Sequence, residues 1–490
     1  MDVASDHKGQ APGSIRRSFL WAAIGQTGML VIQFGSSVVL ARILTPYELG
    51  VFAIALATVG MITAFQSLGL GNYLIRADVV DRDVLSSVFS VNILLSVAIS
   101  AIIVAFGLLG QALFKDPGVQ TVLFWIAWTP LINALSLVPT GLLQREGNFK
   151  SISTIRLISS LTGTICTVLF AIAGFSYMSL AYGSVITAVM SSVATCLVAP
   201  RHVQFRLGAR HWRDIYKFGS RMLMINGVVQ MQNQVSNFAL GNLSGLSALG
   251  LYSRANNLFS ILSDNVHTVL ARVLIADFAQ IARDGAPLRL RYLRVLEFMT
   301  AILWPAFAGM AVLAGPMVYI LYGAKWTALA LPLAVLCFNG ILWVSVTMAW
   351  ELFVVAKETS KQARFEIIRA TVGVALFVTG ALYSLTGAMV GRVAEGMFAV
   401  FLYLPHIKRM TGSHDGDFLP IYRRSAVVTI AAICPPLLLM MWHGWDARTP
   451  FVQVAMSVVA GGLLWALALL YYRHPIITEL RGLAARRRSA

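Results

Sequence analysis

Asn226, Gln230, Asn233 and Asn237 recur at steps of four, three and four through an otherwise apolar stretch, which puts all four amides on one face of a helix. Gln232, Gln234 and Ser236 add polarity beside them. An amide facing hydrocarbon with no partner is costly, so the stripe has to face protein or water. Hydrogen bonds between membrane helices contribute only about 0.6 kcal/mol each on average, and four amides on one face exceed what that role needs. A stripe lining a polar cavity is the reading we favour. Gln26 and Gln33, seven residues apart, share a helical face in the same way.

Ionisable groups inside apolar stretches are fewer and say more, because a charge near a bilayer centre costs several kcal/mol unless it is paired or hydrated. Arg254 lies one to two turns from the expected outer end of its helix, where it either snorkels to the interface or faces the interior as a ligand. Asp264 and His267 share a face at i and i+3 near the middle of the same helix; they either pair locally or titrate as a proton-coupling element. Arg392 and Glu395, also three apart, read as a helix-stabilising ion pair or as part of a site. Arg156, Arg221, Arg272 and Arg369 fall near expected cytoplasmic ends, where interfacial anchoring is the simpler account. The sequence holds no Walker loop, HExxH, dinucleotide fingerprint or CxxC pair, so no catalytic group, metal centre or cofactor is expected. Cys166, Cys196, Cys337 and Cys434 all sit in apolar runs and read as small buried hydrophobes.

The elements that must position these residues are membrane helices. Of 490 residues, 58% are hydrophobic and 12% charged, about half the roughly 25% charge of a soluble domain. Apolar runs bounded by charge or turn residues place spans near 19–41, 50–74, 86–110, 120–143, 152–173 and 178–199. A second set follows near 218–241, 248–274, 296–322, 328–355, 366–386 and 388–404, and two more near 425–443 and 450–472. Fourteen spans of roughly 20 residues use about 280 positions. Pro130, Pro139, Pro305 and Pro332 interrupt spans and are candidate kinks. The first span is too long for a signal-peptide core and stays in the membrane.

The formal charge of +17 by itself suggests nucleic acid or an anionic surface, but its distribution decides otherwise. With the amino terminus in the cytoplasm, 28 of the 38 Lys and Arg fall in cytoplasmic segments and four on the other side, a strong positive-inside signal. Both termini are therefore expected in the cytoplasm, and no nucleic-acid partner is needed.

The chain also repeats itself without gaps at an offset of 200. Leu40 meets Leu240, Leu49-Gly50 meets Leu249-Gly250, Phe52 meets Tyr252, and Gln26 and Gln33 fall on Asn226 and Asn233. An even number of spans separates the copies, so they are parallel repeats, and two such lobes around a central site form a recurring transporter plan. The expected organisation is an all-α polytopic membrane protein of about fourteen helices: a cytoplasmic tail (1–18), a six-helix lobe (19–199), a basic linker (200–217), a second six-helix lobe (218–404), a cytoplasmic loop (405–424), two further helices (425–472) and a basic tail (473–490).

The segment ARILTPYELGVFAIA, Ala41 to Ala55, resembles the signature at the end of the first helix of polysaccharide transporters, the Wzx-type oligosaccharide flippases. Gly141 to Phe149 (GLLQREGNF), Ala248 to Ala255 (ALGLYSRA), Leu321 to Trp326 (LYGAKW) and Leu352 to Lys357 (LFVVAK) are similar to further landmarks of that family, in its order. The resemblance implies two six-helix bundles plus two terminal helices, the fold shared with lipid II flippases and with multidrug and toxin exporters. It also implies an activity: moving an undecaprenyl-diphosphate-linked oligosaccharide across the inner membrane of a bacterium, cytoplasmic to periplasmic leaflet, by alternating access, for exopolysaccharide, capsule or O-antigen. A polysaccharide polymerase and a chain-length regulator are the implied partners. Arg254, inside a matched motif, suits a bidentate phosphate contact; Arg392 is a second candidate by depth, and the amides suit sugar hydroxyls. Two other readings remain. A cation-coupled drug exporter of this fold resembles its relatives in a deep acidic residue in the first lobe, and helices 1 to 6 here have none. A glycosyltransferase or polymerase needs a sizeable external loop, and each expected one is about ten residues or fewer.

Overall fold

With no water in hydrocarbon to take up backbone hydrogen bonds, apolar segments of this length close those bonds within helices, and helices form all the regular structure of the described residues. A computed structural model describes residues 12–64, 69–77, 80–109, 114, 116–203, 206–284, 286–472 and 474. In chain order the helices are α1 (Pro12–Ile43), α2 (Pro46–Thr63), α3 (Leu70–Arg76), α4 (Arg82–Leu108), α5 (Pro117–Ile126), α6 (Trp128–Arg145), α7 (Phe149–Ile172), α8 (Met178–Val198) and α9 (Trp212–Leu243). They continue as α10 (Leu246–Arg283), α11 (Arg289–Val312), α12 (Ala314–Tyr322), α13 (Ala330–Val344), α14 (Ala349–Val355), α15 (Thr359–Ala381), α16 (Leu385–Thr411), α17 (Asp415–Trp442) and α18 (Phe451–Tyr471). Among the described residues, ten helical stretches are long and apolar enough to cross a membrane. The other four expected spans fall on α1, α9, α10 and α15; α15 carries Lys361, Arg364, Glu366 and Arg369, and α9 the amide stripe. Two compact units divide the chain, Met1–Gln234 and Val235–Ala490.

In the first unit, the TPYE of the Ala41–Ala55 motif is a capping device. Thr45 accepts the Glu48 backbone N–H at 3.3 Å while Glu48 Oε2 accepts the Thr45 N–H at 2.7 Å, and Pro46 opens α2. The second Glu48 oxygen accepts the Ser176 hydroxyl just before α8, and the Tyr47 hydroxyl donates to Asp116, which caps α5 by accepting the Gly118 N–H at 2.8 Å. One tetrapeptide thereby ties the starts of three helices together. Pro130 cannot donate to the Ile126 carbonyl one turn back. The Thr129 hydroxyl donates there at 2.7 Å, and Ser100 of α4 donates to the Ala127 carbonyl at 2.7 Å, so the α5–α6 break leaves both oxygens partnered. Glycines set the closest approach: a Cβ on Gly163 of α7 would lie 1.8 Å from Thr187 Oγ1 of α8.

The second unit repeats this plan. α9 ends at Leu243 and α10 starts at Leu246, against Ile43 and Pro46 in the first unit, and Leu240, Leu249 and Ala255 are buried as are Leu40, Leu49 and Ala55. The order of packing also recurs: α4 on α6, α6 on α8 and α7 on α8 are matched by α11 on α13, α13 on α16 and α15 on α16. The connection differs at its tip, where Gly245 takes φ 93 in place of the Thr45 cap. The terminal pair α17–α18 packs on α11, with Thr300 and Ser425 hydroxyls 2.8 Å apart. Pro305 leaves the Ala301 carbonyl without its helical donor, and the Trp465 indole of α18 donates to it at 2.9 Å. The cysteine expectation holds for one residue: Cys337 is buried, Cys166 and Cys196 are half-buried and Cys434 is exposed, because an apolar helix in lipid has no need to bury its outward face.

Trp465→Phe keeps the ring and removes this donor, so it lowers stability by about 1–3 kcal/mol, read as an earlier thermal unfolding of the purified protein in detergent. A second check is pH. Burial pushes the His474 imidazole down from 6.5 to about 4, and the Arg424 guanidinium adds to the shift. The folded protein thus favours the neutral ring; the stability this site provides is complete above about 6.5 and is lost as pH falls toward 4. Thermal unfolding should move to lower temperature between pH 7 and pH 5, with a shallower slope in His474→Gln.

Candidate functional site

Small residues bring α15 and α16 into backbone contact. A Cβ on Gly380 would sit 2.1 Å from the Gly387 carbonyl oxygen, and one on Gly373 would sit 2.5 Å from the carboxyl carbon of Glu395. That proximity assembles a buried charge network. Glu395 accepts from Arg369 through one oxygen and from Arg392 through the other, the latter at 2.7 Å. Arg369 also forks onto Glu366, with Nε to Oε2 at 3.2 Å, and the Tyr403 hydroxyl donates to the same oxygen at 2.8 Å. Arg392 donates to the Tyr252 hydroxyl of α10 at 3.3 Å. The guanidinium of Arg369 lies over Trp343 at 5.1 Å and that of Arg392 over Phe377 at 4.7 Å. Two cations and two anions cancel, which is how four charges are tolerated inside the bundle.

Next to the network the tenth expected span is broken. Ser345, Val346 and Thr347, residues of modest helix propensity, end α13, and Met348 turns into α14 at φ 60. Carbonyls freed by the break are partnered: Tyr292 donates to Thr347 at 3.2 Å and Tyr422 to Ser345 at 2.8 Å. The break opens a cavity of about 370 Å³. Its wall carries Phe259, Met299, Leu303 and Trp343 on the apolar side and Ser263, Asn339, Thr347, Glu351, Gln362 and Glu366 on the polar side.

The sequence-derived candidates distribute as follows. Gln26 and Gln33 are exposed on α1, and Gln230 and Asn233 are exposed on α9 with Asn237 half-buried, while Gln232 and Ser236 are buried on the other side of α9. Arg254 is half-buried two turns into α10. The side chains of Asn226, Asp264 and His267 lie outside the described residues. Arg392 and Glu395 form the ion pair that their spacing permits, inside a larger network. Arg369 is corrected: it is 7% exposed and doubly paired, not an interfacial anchor. The cause is that α15 begins at Thr359, seven residues before the expected span, so Arg369 lies in its third turn. Glu366, Tyr403, Tyr252 and the cavity residues were not singled out from sequence; the i,i+3 spacing of Glu366 and Arg369, the same as that of Arg392 and Glu395, was the available signal.

A family model described as polysaccharide biosynthesis protein matches residues 39–331. The chain is 23% identical over 477 residues to an uncharacterized membrane protein in the cps region of Klebsiella pneumoniae, covering 95% of this chain and 97% of that one. It is 26% identical over 324 residues to the succinoglycan biosynthesis transport protein ExoT of Rhizobium meliloti, covering 64% of this chain and 63% of that one. In structure it is similar to the lipid II flippase MurJ in its inward closed conformation, with TM-score 0.76 at 16% identity over 93% of this chain and 100% of that one.

Removing one member of the charge network should cost far more than removing a balanced pair. Glu395→Ala leaves Arg369 and Arg392 short of a counter-ion and should cost about 3–5 kcal/mol, whereas Arg392→Met with Glu395→Leu keeps the Arg369–Glu366 pair and should cost less than the single change. Thermal unfolding of the two proteins in detergent separates these outcomes.

Proposed function

This chain belongs to the polysaccharide biosynthesis protein family, and from that premise we propose that it is a transporter that moves a polyprenyl-diphosphate-linked oligosaccharide from the cytoplasmic to the periplasmic leaflet by alternating access. The observation that carries the reading is the exposure of Gln26, Gln33, Gln230 and Asn233 on α1 and α9. Those amides would go unpaired in lipid, so their faces meet water or a polar substrate. Amides donate to and accept from hydroxyls without a charge preference, which suits a glycan. Arg254 supplies the complementary chemistry, a delocalised cation for the diphosphate. The excess of Lys and Arg on one side supports an inner-membrane protein with both termini in the cytoplasm, six-helix lobes at 19–199 and 218–404, and substrate loading from the basic side. A polymerase and a chain-length regulator acting on the delivered units are the partners this role calls for.

Deleting the gene should trap lipid-linked repeat units in the cytoplasmic leaflet and abolish surface polysaccharide. Normal polysaccharide together with altered dye efflux would overturn the reading in favour of a drug exporter. Arg254→Ala should lower export about tenfold or more, the worth of a hydrogen bond to a charged group, while the protein still inserts. Unchanged export would remove Arg254 from the site.

A further inference from the structure

The cavity at the α13–α14 break is lined by polar side chains that the fold does not use. Asn339 is 8% exposed, and its Oδ1, which lies against Gly396 of α16, has no hydrogen-bond partner among the described residues. The side chains of Ser263, Thr347 and Gln362, on three further segments of the same wall, also make no hydrogen bond to other described residues. The backbone carbonyls of the break are themselves capped, Thr347 by Tyr292 and Ser345 by Tyr422, and the Ala301 carbonyl freed by Pro305 takes the Trp465 indole. Two amides and two hydroxyls left over together on one cavity wall mark a surface that takes its partners from a ligand.

The lining restricts the ligand. An apolar molecule would leave both amides unpaired. An anion such as phosphate would meet the carboxylates of Glu351 and Glu366. A bare cation has no use for amide N–H donors, and the oxygens of Glu366 are already engaged by Arg369 and Tyr403. What fits neutral donors and acceptors, with carboxylate oxygens that accept from hydroxyls and Trp343 and Phe259 as apolar walls, is a neutral polyhydroxyl ring. The volume of about 370 Å³ lies within the roughly 300–1,000 Å³ of small-molecule sites.

We propose that this cavity is a subsite for one neutral sugar residue of the transported glycan, held through Ser263, Asn339, Thr347 and Gln362, and that it discriminates against uronic acids. The inference rests on the flippase reading and adds to it where, and for which class of sugar, selection occurs. The cavity lies beside the end of the second unit that carries Lys357, Lys361 and Arg364, the side from which that reading loads substrate.

The test uses the purified full-length protein in nanodiscs, titrated with neutral hexoses and N-acetylhexosamines and, in parallel, with glucuronate, followed by calorimetry and tryptophan fluorescence. A neutral sugar should bind saturably and glucuronate about tenfold more weakly; Asn339→Leu should weaken the neutral sugar about tenfold, the loss expected when a buried hydrogen-bonding group has no counterpart. Gln362, half-exposed at the rim, gives a second variant, Gln362→Leu, that leaves the packed core untouched and should weaken binding in the same direction. No saturable binding by the native protein, equal binding of glucuronate, or unchanged binding in both variants would overturn the subsite. In cells, a deletion strain that traps lipid-linked intermediates while both variants restore polysaccharide fully would sink the subsite and leave the flippase reading standing. A deletion strain with normal polysaccharide would instead defeat that reading.

Discussion

A backbone carbonyl or a charged side chain in hydrocarbon has no water to bond with, and most features of this structure follow from finding it a partner inside the protein. Two prolines show it most simply. Pro130 and Pro305 each strip a carbonyl of its helical donor, and in each case a side chain stands in: the Thr129 hydroxyl for Ile126 and the Trp465 indole for Ala301. The two solutions differ in reach. Thr129 reaches three residues back across the α5–α6 break, while Trp465 comes from α18 and so makes the terminal helix part of the second unit rather than an appendage. The four-charge network is the same constraint applied to side chains. Glu395 is shared by two guanidinia, Arg369 by two carboxylates, and Tyr252 and Tyr403 take up what remains.

Close helix approach is what makes such pairing possible. Gly373 leaves room for the Glu395 carboxylate against α15, and Gly380 lets the α15 backbone meet that of α16 at Gly387. A side chain at either place would push the helices apart and leave charges separated by a gap too narrow for bulk water. The same logic explains why the Ala41–Ala55 motif reads as it does. Thr45, Pro46, Tyr47 and Glu48 are capping and tethering groups for α2, α5 and α8, so the motif works here through helix geometry. Its repeat-related segment in the second unit achieves the turn with Gly245 instead.

Much of this was legible in the sequence because hydropathy and charge placement are strong in a membrane protein. Expected spans 86–110, 152–173, 178–199 and 450–472 lie within four residues of α4, α7, α8 and α18 at each end. What was not legible depends on contacts between distant segments. The two i,i+3 pairs, Glu366 with Arg369 and Arg392 with Glu395, are visible in the sequence, but nothing local says that Arg369 and Glu395 join them into one network. Hydropathy sets the start of α15 late because Lys361, Arg364 and Glu366 look like a loop, although the helix already includes them. The α13–α14 break carries neither glycine nor proline, the usual signals, and so the cavity it opens had no forewarning.

α10 carries residues of both proposed sites. Tyr252, Phe259 and Ser263 fall at steps of seven and four, one face of the helix, and all three are engaged with the second unit: Tyr252 at Arg392 and Phe377, Phe259 against Phe307 and, with Ser263, at the cavity. Arg254 lies nearly opposite on the helical wheel and about 13 Å along the axis from Ser263 at the usual rise per residue. The diphosphate contact proposed for Arg254 and the sugar subsite proposed for the cavity thus occupy different faces of the helix at different depths. A helix held at Tyr252 by a neutral network cannot rotate on one face without moving the other.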